Sequence, residues 1–214
     1  MYKLLKILLL VIVSANCLTA FSQNYVLKEG DLLFKDTRNN AISQAIKDVT
    51  PSASNFSFSH VGVLFFENNE WKVLEAVPEY GVRISTLPGF SSYAKGEEVI
   101  IVVGRLKTNY PFDLEKLIEY GKKQLGKPYD NPFSWNDEAF YCSELSYKMF
   151  SYAGQNHAFT PKPMTFKEEG KDHFHPTWIK YYNELQVAIP EGELGINPNA
   201  MATSKSIDLL FELP

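Results

Sequence analysis

Tyr141-Cys142-Ser143-Glu144-Leu145-Ser146-Tyr147-Lys148-Met149 carries the chain from a loop into a helix, with a cysteine at the junction. Leu145, Met149 and Tyr152 recur at i, i+4 and i+7, which predicts an amphipathic helix over 142–152 closed by Gly154. Residues 127–140 before it are crowded with aromatic, Pro and Asn residues and read as a loop. A cysteine at a helix start faces backbone N–H groups that lack an intrahelical acceptor, and the helix dipole adds positive potential there. Both favour a thiolate, and the same N–H groups can hold an oxyanion when that thiolate attacks a carbonyl. The competing reading is a buried structural cysteine, a residue type often enclosed. The segment alone leaves both open.

Upstream, Phe58-Ser59-His60-Val61-Gly62-Val63 heads an apolar strand with a histidine, and a lone histidine is more often structural than catalytic. Further on, Val73-Leu74-Glu75-Ala76 sets an acid in an otherwise apolar strand. Such a carboxylate is costly to bury unless paired. If the two strands form a hairpin, Glu75 comes beside His60 and orients the ring of a general base. Otherwise Glu75 is an edge-strand acid facing water.

The remaining chain supplies the frame. Strands are predicted at 31–34, 60–66, 71–76, 81–84 and 99–106, with a turn at Glu67-Asn68-Asn69-Glu70. Helices are predicted near 40–47, at 114–125 and at 178–185, and a polar loop at 50–57. The tail at 207–211 is apolar enough to pack against the body. This order predicts an α+β fold, an antiparallel meander sheet packed with helices from both ends.

Residues 1–22 have the form of a secretory signal: Lys3 and Lys6, an apolar run at 7–13, then small and polar residues. That run is too short for a bilayer, which needs about 20 apolar residues. A cut after Ser22, with Ala20 at the minus-three position, makes 23–214 a single domain of roughly 190 residues, an ordinary size. The rival is lipidation at Cys17, where Val13-Ser14-Ala15-Asn16-Cys17 loosely resembles a lipobox, although Asn16 is unusual at its position. Either route places the protein across the inner membrane, in the periplasm or outside the cell, with no integral membrane segment once the signal is removed. Cleavage after Ser22 leaves Cys142 as the one cysteine of the mature domain, so no internal disulfide is expected. A lone thiol in an oxidising compartment needs a reason to be there. The net charge of −4 falls to −6 when Lys3 and Lys6 leave, and no basic stripe appears, so nucleic acid is not an expected partner.

Six segments occur in a telling order: Gly30-Asp31-Leu32-Leu33-Phe34, Ser59-His60-Val61-Gly62-Val63, Leu74-Glu75-Ala76, Gly81-Val82-Arg83, Gly126-Lys127-Pro128-Tyr129-Asp130 and Tyr141-Cys142-Ser143-Glu144-Leu145. Together they resemble the YiiX-like branch of the circularly permuted, NlpC-type papain-fold cysteine hydrolases. The tail Asn197-Pro198-Asn199-Ala200-Met201-Ala202-Thr203-Ser204 is similar to that branch's closing segment. The resemblance implies a circularly permuted papain-like fold, in which the histidine strand precedes the cysteine helix. It also implies Cys142 as nucleophile, His60 as general base and Glu75 as the orienting residue. Tyr129 or Tyr141 is implied as a hydroxyl near the oxyanion. Ser143 and Glu144 match the motif with no role beyond helix capping. The loop departs from the pattern at Pro132, Phe133 and Trp135, which implies a differently lined cleft.

The expected activity is hydrolysis of an amide bond in a peptide or peptidoglycan fragment, through an acyl-enzyme and with no cofactor. The alternatives are an acyltransferase, amidase or esterase acting on a lipid-like N-acyl or ester substrate, and a non-catalytic binding module on the same fold. An apolar cleft would favour the lipid-like substrate, and a cleft with carboxylate-binding Arg or Lys would favour peptides. Arg83 reads either as such a fork or as a solvent-facing strand residue. Asp172, His173 and His175 lack a second ligand cluster, so no metal site is expected. Trp71, Trp135 and Trp178 read as core or cleft wall, and no phosphate-binding loop or dinucleotide fingerprint appears.

Overall fold

The computed structural model describes residues 26–50, 56–92, 98–168 and 170–213. The expected signal peptide, with Cys17, and most of the polar loop at 50–57 lie outside the described residues.

Strand β1 (Leu32–Arg38) opens with Leu32, Leu33 and Phe34, all fully buried. A run without alternation belongs to a strand covered on both faces, as in the middle of a packed sheet. Here β1 lies between β2 (His60–Glu67) and β5 (Glu98–Leu106), antiparallel to each. From β2 the chain meanders outward through β3 (Glu70–Val77) and β4 (Gly81–Thr86). The β2–β3 turn is two residues long, Asn68 and Asn69, both at positive φ, as a tight hairpin requires. The meander stops at β4, because the chain returns to the far side of β1 to form β5. The last strand, β8 (Ile207–Glu212), pairs with β5, so the sheet order is β4-β3-β2-β1-β5-β8. The apolar tail is thus a strand of the sheet, beyond the packing expected of it.

Loop backbone covers the β4 edge. Val82 N–H donates to Lys127 O and Gly126 N–H donates to Val82 O, each at 2.9 Å. Gly81 makes this approach possible, since a Cβ there would lie 2.1 Å from Lys127 O. The loop that carries Tyr129 is therefore fixed to the strand that carries Arg83.

Five further helices and a small ribbon complete the frame around α4 (Cys142–Tyr152). They are α1 (Ala41–Val49), α2 (Leu87–Ser91), α3 (Leu114–Lys123), α5 (Pro176–Leu185) and α6 (Pro198–Ala202), with β6 (Lys162–Pro163) paired to β7 (Leu194–Gly195). Asn40, Thr86, Asp113, His175 and Asn197 each cap the start of a helix with a side-chain acceptor. Leu145, Met149 and Phe150 are fully buried and share one core with Val61, Leu74 and Leu117. Burying each of the three stabilises the fold by about 1.5–3 kcal/mol and holds the start of α4 against β2. A separate cluster of Ala45, Phe166, Trp178 and Tyr182 joins α1 to α5. No helix among the described residues is long and apolar enough to cross a membrane.

Candidate active site

The hairpin brings His60 and Glu75 together. Register pairs Val63 with Leu74, which sets Glu75 beside Gly62 and diagonal to His60 on the same face of the sheet. His60 Nε2 lies 2.7 Å from Glu75 Oε2. The other oxygen, Oε1, accepts from Ser85 Oγ at 2.6 Å and from Arg83 Nε at 2.9 Å, with Arg83 Nη2 also at 2.9 Å. Arg83 is partly exposed, as a strand arginine facing solvent would be, but register places it directly opposite Glu75, and the buried carboxylate captures the guanidinium. Burial alone would push the Glu75 carboxyl up, but His60, Ser85 and Arg83 hold it down at about 2.

Cys142 is 6 % exposed and its thiol is coupled electrostatically to the His60 ring. With Nε2 on Glu75, Nδ1 is the ring nitrogen left for the thiol. Burial pushes the thiol up, yet His60 and the backbone N–H groups of Val61 and Ser143 bring it below its ordinary value. For His60, burial pulls down, and Cys142 and Glu75 together outweigh it and raise the ring to about 9. The two directions agree in favouring a thiolate beside an imidazolium over the neutral pair. Phe90 of α2 stacks on the His60 ring at 5.5 Å between centroids. Gly62 leaves the space for it, since a Cβ there would stand 3.0 Å from Phe90 and 2.5 Å from Val73 Cγ1.

The start of α4 keeps its amides available. Tyr141 is the N-cap residue but gives no side-chain cap bond, and the first backbone bond runs from Leu145 N–H to Tyr141 O. The Tyr141 hydroxyl accepts from Ile196 N–H at 3.2 Å, while Ser143 Oγ donates to Ile196 O at 2.8 Å. Both neighbours of Cys142 therefore clamp one residue of the C-terminal segment. Tyr129 differs, because its hydroxyl has no hydrogen-bond partner among the described residues and its side chain lines the cleft. Burial raises both phenols well above their ordinary value, so both remain donors at neutral pH. Glu144 is fully enclosed, with Oε1 2.8 Å from Lys148 Nζ and Oε2 without a hydrogen-bond partner among the described residues. Burial raises its carboxyl to about 7 against the pull of Lys148.

A cavity of about 580 Å³ opens beside Cys142, and its wall includes Ile46, Val49, Phe133, Met164, Phe166 and Trp178. Trp178 is cleft wall and core at once. At the other end, Asn199 is fully buried, its Oδ1 accepting from Phe58 N–H at 2.7 Å and its Nδ2 donating to Thr50 Oγ1 at 2.9 Å. It ties α6 to the segment that enters β2 at His60. Sequence reasoning assigned no role to Asn199, Ile196, Ser85 or Phe90. The Asn197-Pro198 pair, a cap followed by proline, marks the helix that holds Asn199 but not its distant partners. His175 is occupied elsewhere, with Nδ1 accepting from Thr177 N–H and Nε2 3.2 Å from Asp48 Oδ2. Among the described residues no group of three or more His, Cys, Asp or Glu side chains is placed to hold a metal ion.

A permuted order, with the histidine strand before the cysteine helix, on an antiparallel sheet defines the class: the chain belongs to the family of permuted papain-like amidase enzymes, YaeF/YiiX, C92 family, which matches residues 26–211. It is therefore a member of a cysteine amidase and peptidase family. Among its relatives is the uncharacterized protein YiiX of Escherichia coli (strain K12), 35% identical over 125 residues. That match takes in 58% of this chain and 57% of the relative, so it spans little more than half the relative's length. The crystal structure of the metalloprotein YiiX from Escherichia coli O157:H7 superposes with a TM-score of 0.67 at 28% identity, covering 87% of this chain and 97% of that one.

Proposed function

We propose that the chain hydrolyses an amide bond through Cys142, His60 and Glu75. The observation that carries this reading is His60, held through Nε2 by Glu75 at 2.7 Å and coupled electrostatically to the Cys142 thiol at the start of α4. In this mechanism the thiolate attacks the amide carbonyl, and the α4 N-terminal amides and the Tyr129 hydroxyl stabilise the oxyanion. His60 then gives its proton to the departing amine. Next it takes a proton from the water that opens the thioester. Glu75 keeps the ring oriented and favours its charged form.

The apolar wall of the cavity supports an acyl chain as the carbonyl half of the substrate, and so favours a lipid-like N-acyl amide, while Lys162 and Lys205 in the same lining keep a peptide-like carboxylate on the departing half. The signal-like residues 1–22 support action outside the cytoplasm, which N-terminal sequencing of exported protein tests. The test of the chemistry is iodoacetamide alkylation of Cys142 against pH, in the mature chain and in His60→Ala. The expected profile is a plateau reaching down to about pH 5, lost in the variant. An inflection near the free-thiol value of about 8.5 in both proteins would falsify the Cys–His pair.

A further inference from the structure

The cavity beside Cys142 carries a charge pattern that the chemistry of the amide bond does not require. The chain holds 25 Asp and Glu against 21 Lys and Arg, yet among the described residues no acid lines this cavity, while Lys162 and Lys205 both do. Both lysines are exposed, and neither ammonium has an acidic partner among the described residues. The nearby Glu191 is already engaged, accepting from Thr165 Oγ1 at 2.9 Å and from Phe166 N–H at 2.8 Å.

Both lysines stand on fixed backbone. Lys162 is opposite Gly195 in the β6–β7 ribbon, one residue from Ile196, which the two neighbours of Cys142 clamp. Lys205 lies between Ser204 and Ser206, whose hydroxyls both donate to Ala158 O at 2.6 Å. Ala158 itself lines the cavity. The two cations are thus presented at the exposed rim, whereas Phe166 and Trp178, both buried, form the inner wall.

We propose that the substrate is an acyl amide whose departing amine carries an anionic group, a carboxylate or a phosphate, held between Lys162 and Lys205 while the acyl chain lies along the inner wall. This rests on the amidase reading above. The chemistry balances without a further reactant: sulfur bonds to the acyl carbon, the C–N bond breaks, and the amine leaves with a proton from His60. Water then divides the thioester into acid and free thiol. An exposed ion pair contributes a few-fold in affinity, so two together give a preference of about tenfold for an anionic over a neutral amine.

The experiment measures binding to the Cys142→Ala chain by calorimetry, with N-lauroylglycine, N-lauroyl phosphoethanolamine and neutral N-lauroylethanolamine. The expected result is about tenfold tighter binding of at least one anionic amide, and the larger preference identifies carboxylate or phosphate. In Lys162→Gln/Lys205→Gln that ratio falls close to one. In Lys162→Glu/Lys205→Glu it turns toward a cationic N-lauroyl diamine, and high salt weakens the wild-type ratio. Equal affinities in the lysine-bearing chain, a ratio that survives the double Gln change, or no binding of any amide overturns the proposal. Binding without catalysis keeps the two readings apart. A cysteine-bearing chain that binds the anionic amide but never cleaves it overturns the amidase reading alone, and one that binds and cleaves neutral and anionic amides equally overturns only the anion site.

Discussion

Arg83 Nε and Nη2 both stand 2.9 Å from the same oxygen of Glu75, and that oxygen also takes the Ser85 hydroxyl. Only the second oxygen remains for His60. Loss of the guanidinium should let the carboxylate rotate and raise its pKa. Arg83→Gln is expected to lower kcat roughly tenfold, the low end for a charge-assisted hydrogen bond, with KM little changed. The acid limb of kcat should move to higher pH, and Arg83→Lys should restore part of the loss. An unaltered pH profile would show that Arg83 does not act through Glu75.

Gly62 is the point where the His60 ring depends on a missing side chain. Gly62→Ala puts a methyl 2.5 Å from Val73 Cγ1 and 3.0 Å from Phe90, which must move off the imidazole. Overpacking of this kind costs about 1–3 kcal/mol. The expected outcome is a lower Tm together with slower Cys142 alkylation at pH 6. A variant that loses stability but keeps wild-type alkylation would remove Phe90 from any part in holding the ring.

Asn199 predicts a different pattern. Asn199→Ala leaves the Phe58 N–H buried without its acceptor, at a cost of about 1–3 kcal/mol. Asn199→Asp keeps an acceptor for Phe58 but cannot donate to Thr50. Hydrogen exchange at Phe58 should therefore quicken in the alanine variant and stay slow in the aspartate variant. Equal rates in both would contradict the bond.

Stability against pH has three contributions with distinct signs. Glu75 is held at about 2 against an ordinary 4.5, so its contribution is present above 4.5 and is lost as pH falls toward 2. His60 is raised from 6.5 to about 9, so its contribution is full below 6.5 and is lost as pH rises through 9. Glu144 is raised from 4.5 to about 7, so it favours the folded state below 4.5 and loses that effect as pH rises through 7. Glu144→Gln should accordingly raise Tm at pH 8 relative to wild type, by about 2–4 °C, with little change at pH 4.5. The same difference at both pH values would mean that Glu144 does not titrate in this range.

Some of this was legible in the sequence because the signals are local. A cysteine at the junction of loop and helix, and an acid inside an apolar strand, each mark themselves within a few residues. The pairing of β1 with β5 was not legible, since it follows from a central strand needing neighbours on both edges. Helix α2 escaped because Pro88 and Gly89 interrupt its pattern, and the Thr86 cap supports only five residues. Tyr129 and Tyr141 look alike along the chain; what separates them is the Ile196 N–H, contributed from far downstream. The bond from Arg83 to Glu75 was not legible either, because it is fixed by strand register.

The clamp on Ile196 and the Asn199 bond to Phe58 have a consequence for a chain still being synthesised. By residue 152 such a chain contains His60, Glu75 and Cys142. It does not yet contain the residue that Tyr141 and Ser143 hold, nor the one that anchors the approach to His60. Its thiol is present before its surroundings are. The clamp on both neighbours of Cys142 is therefore completed only when the C-terminal segment arrives, which makes the seating of that loop a late event in folding.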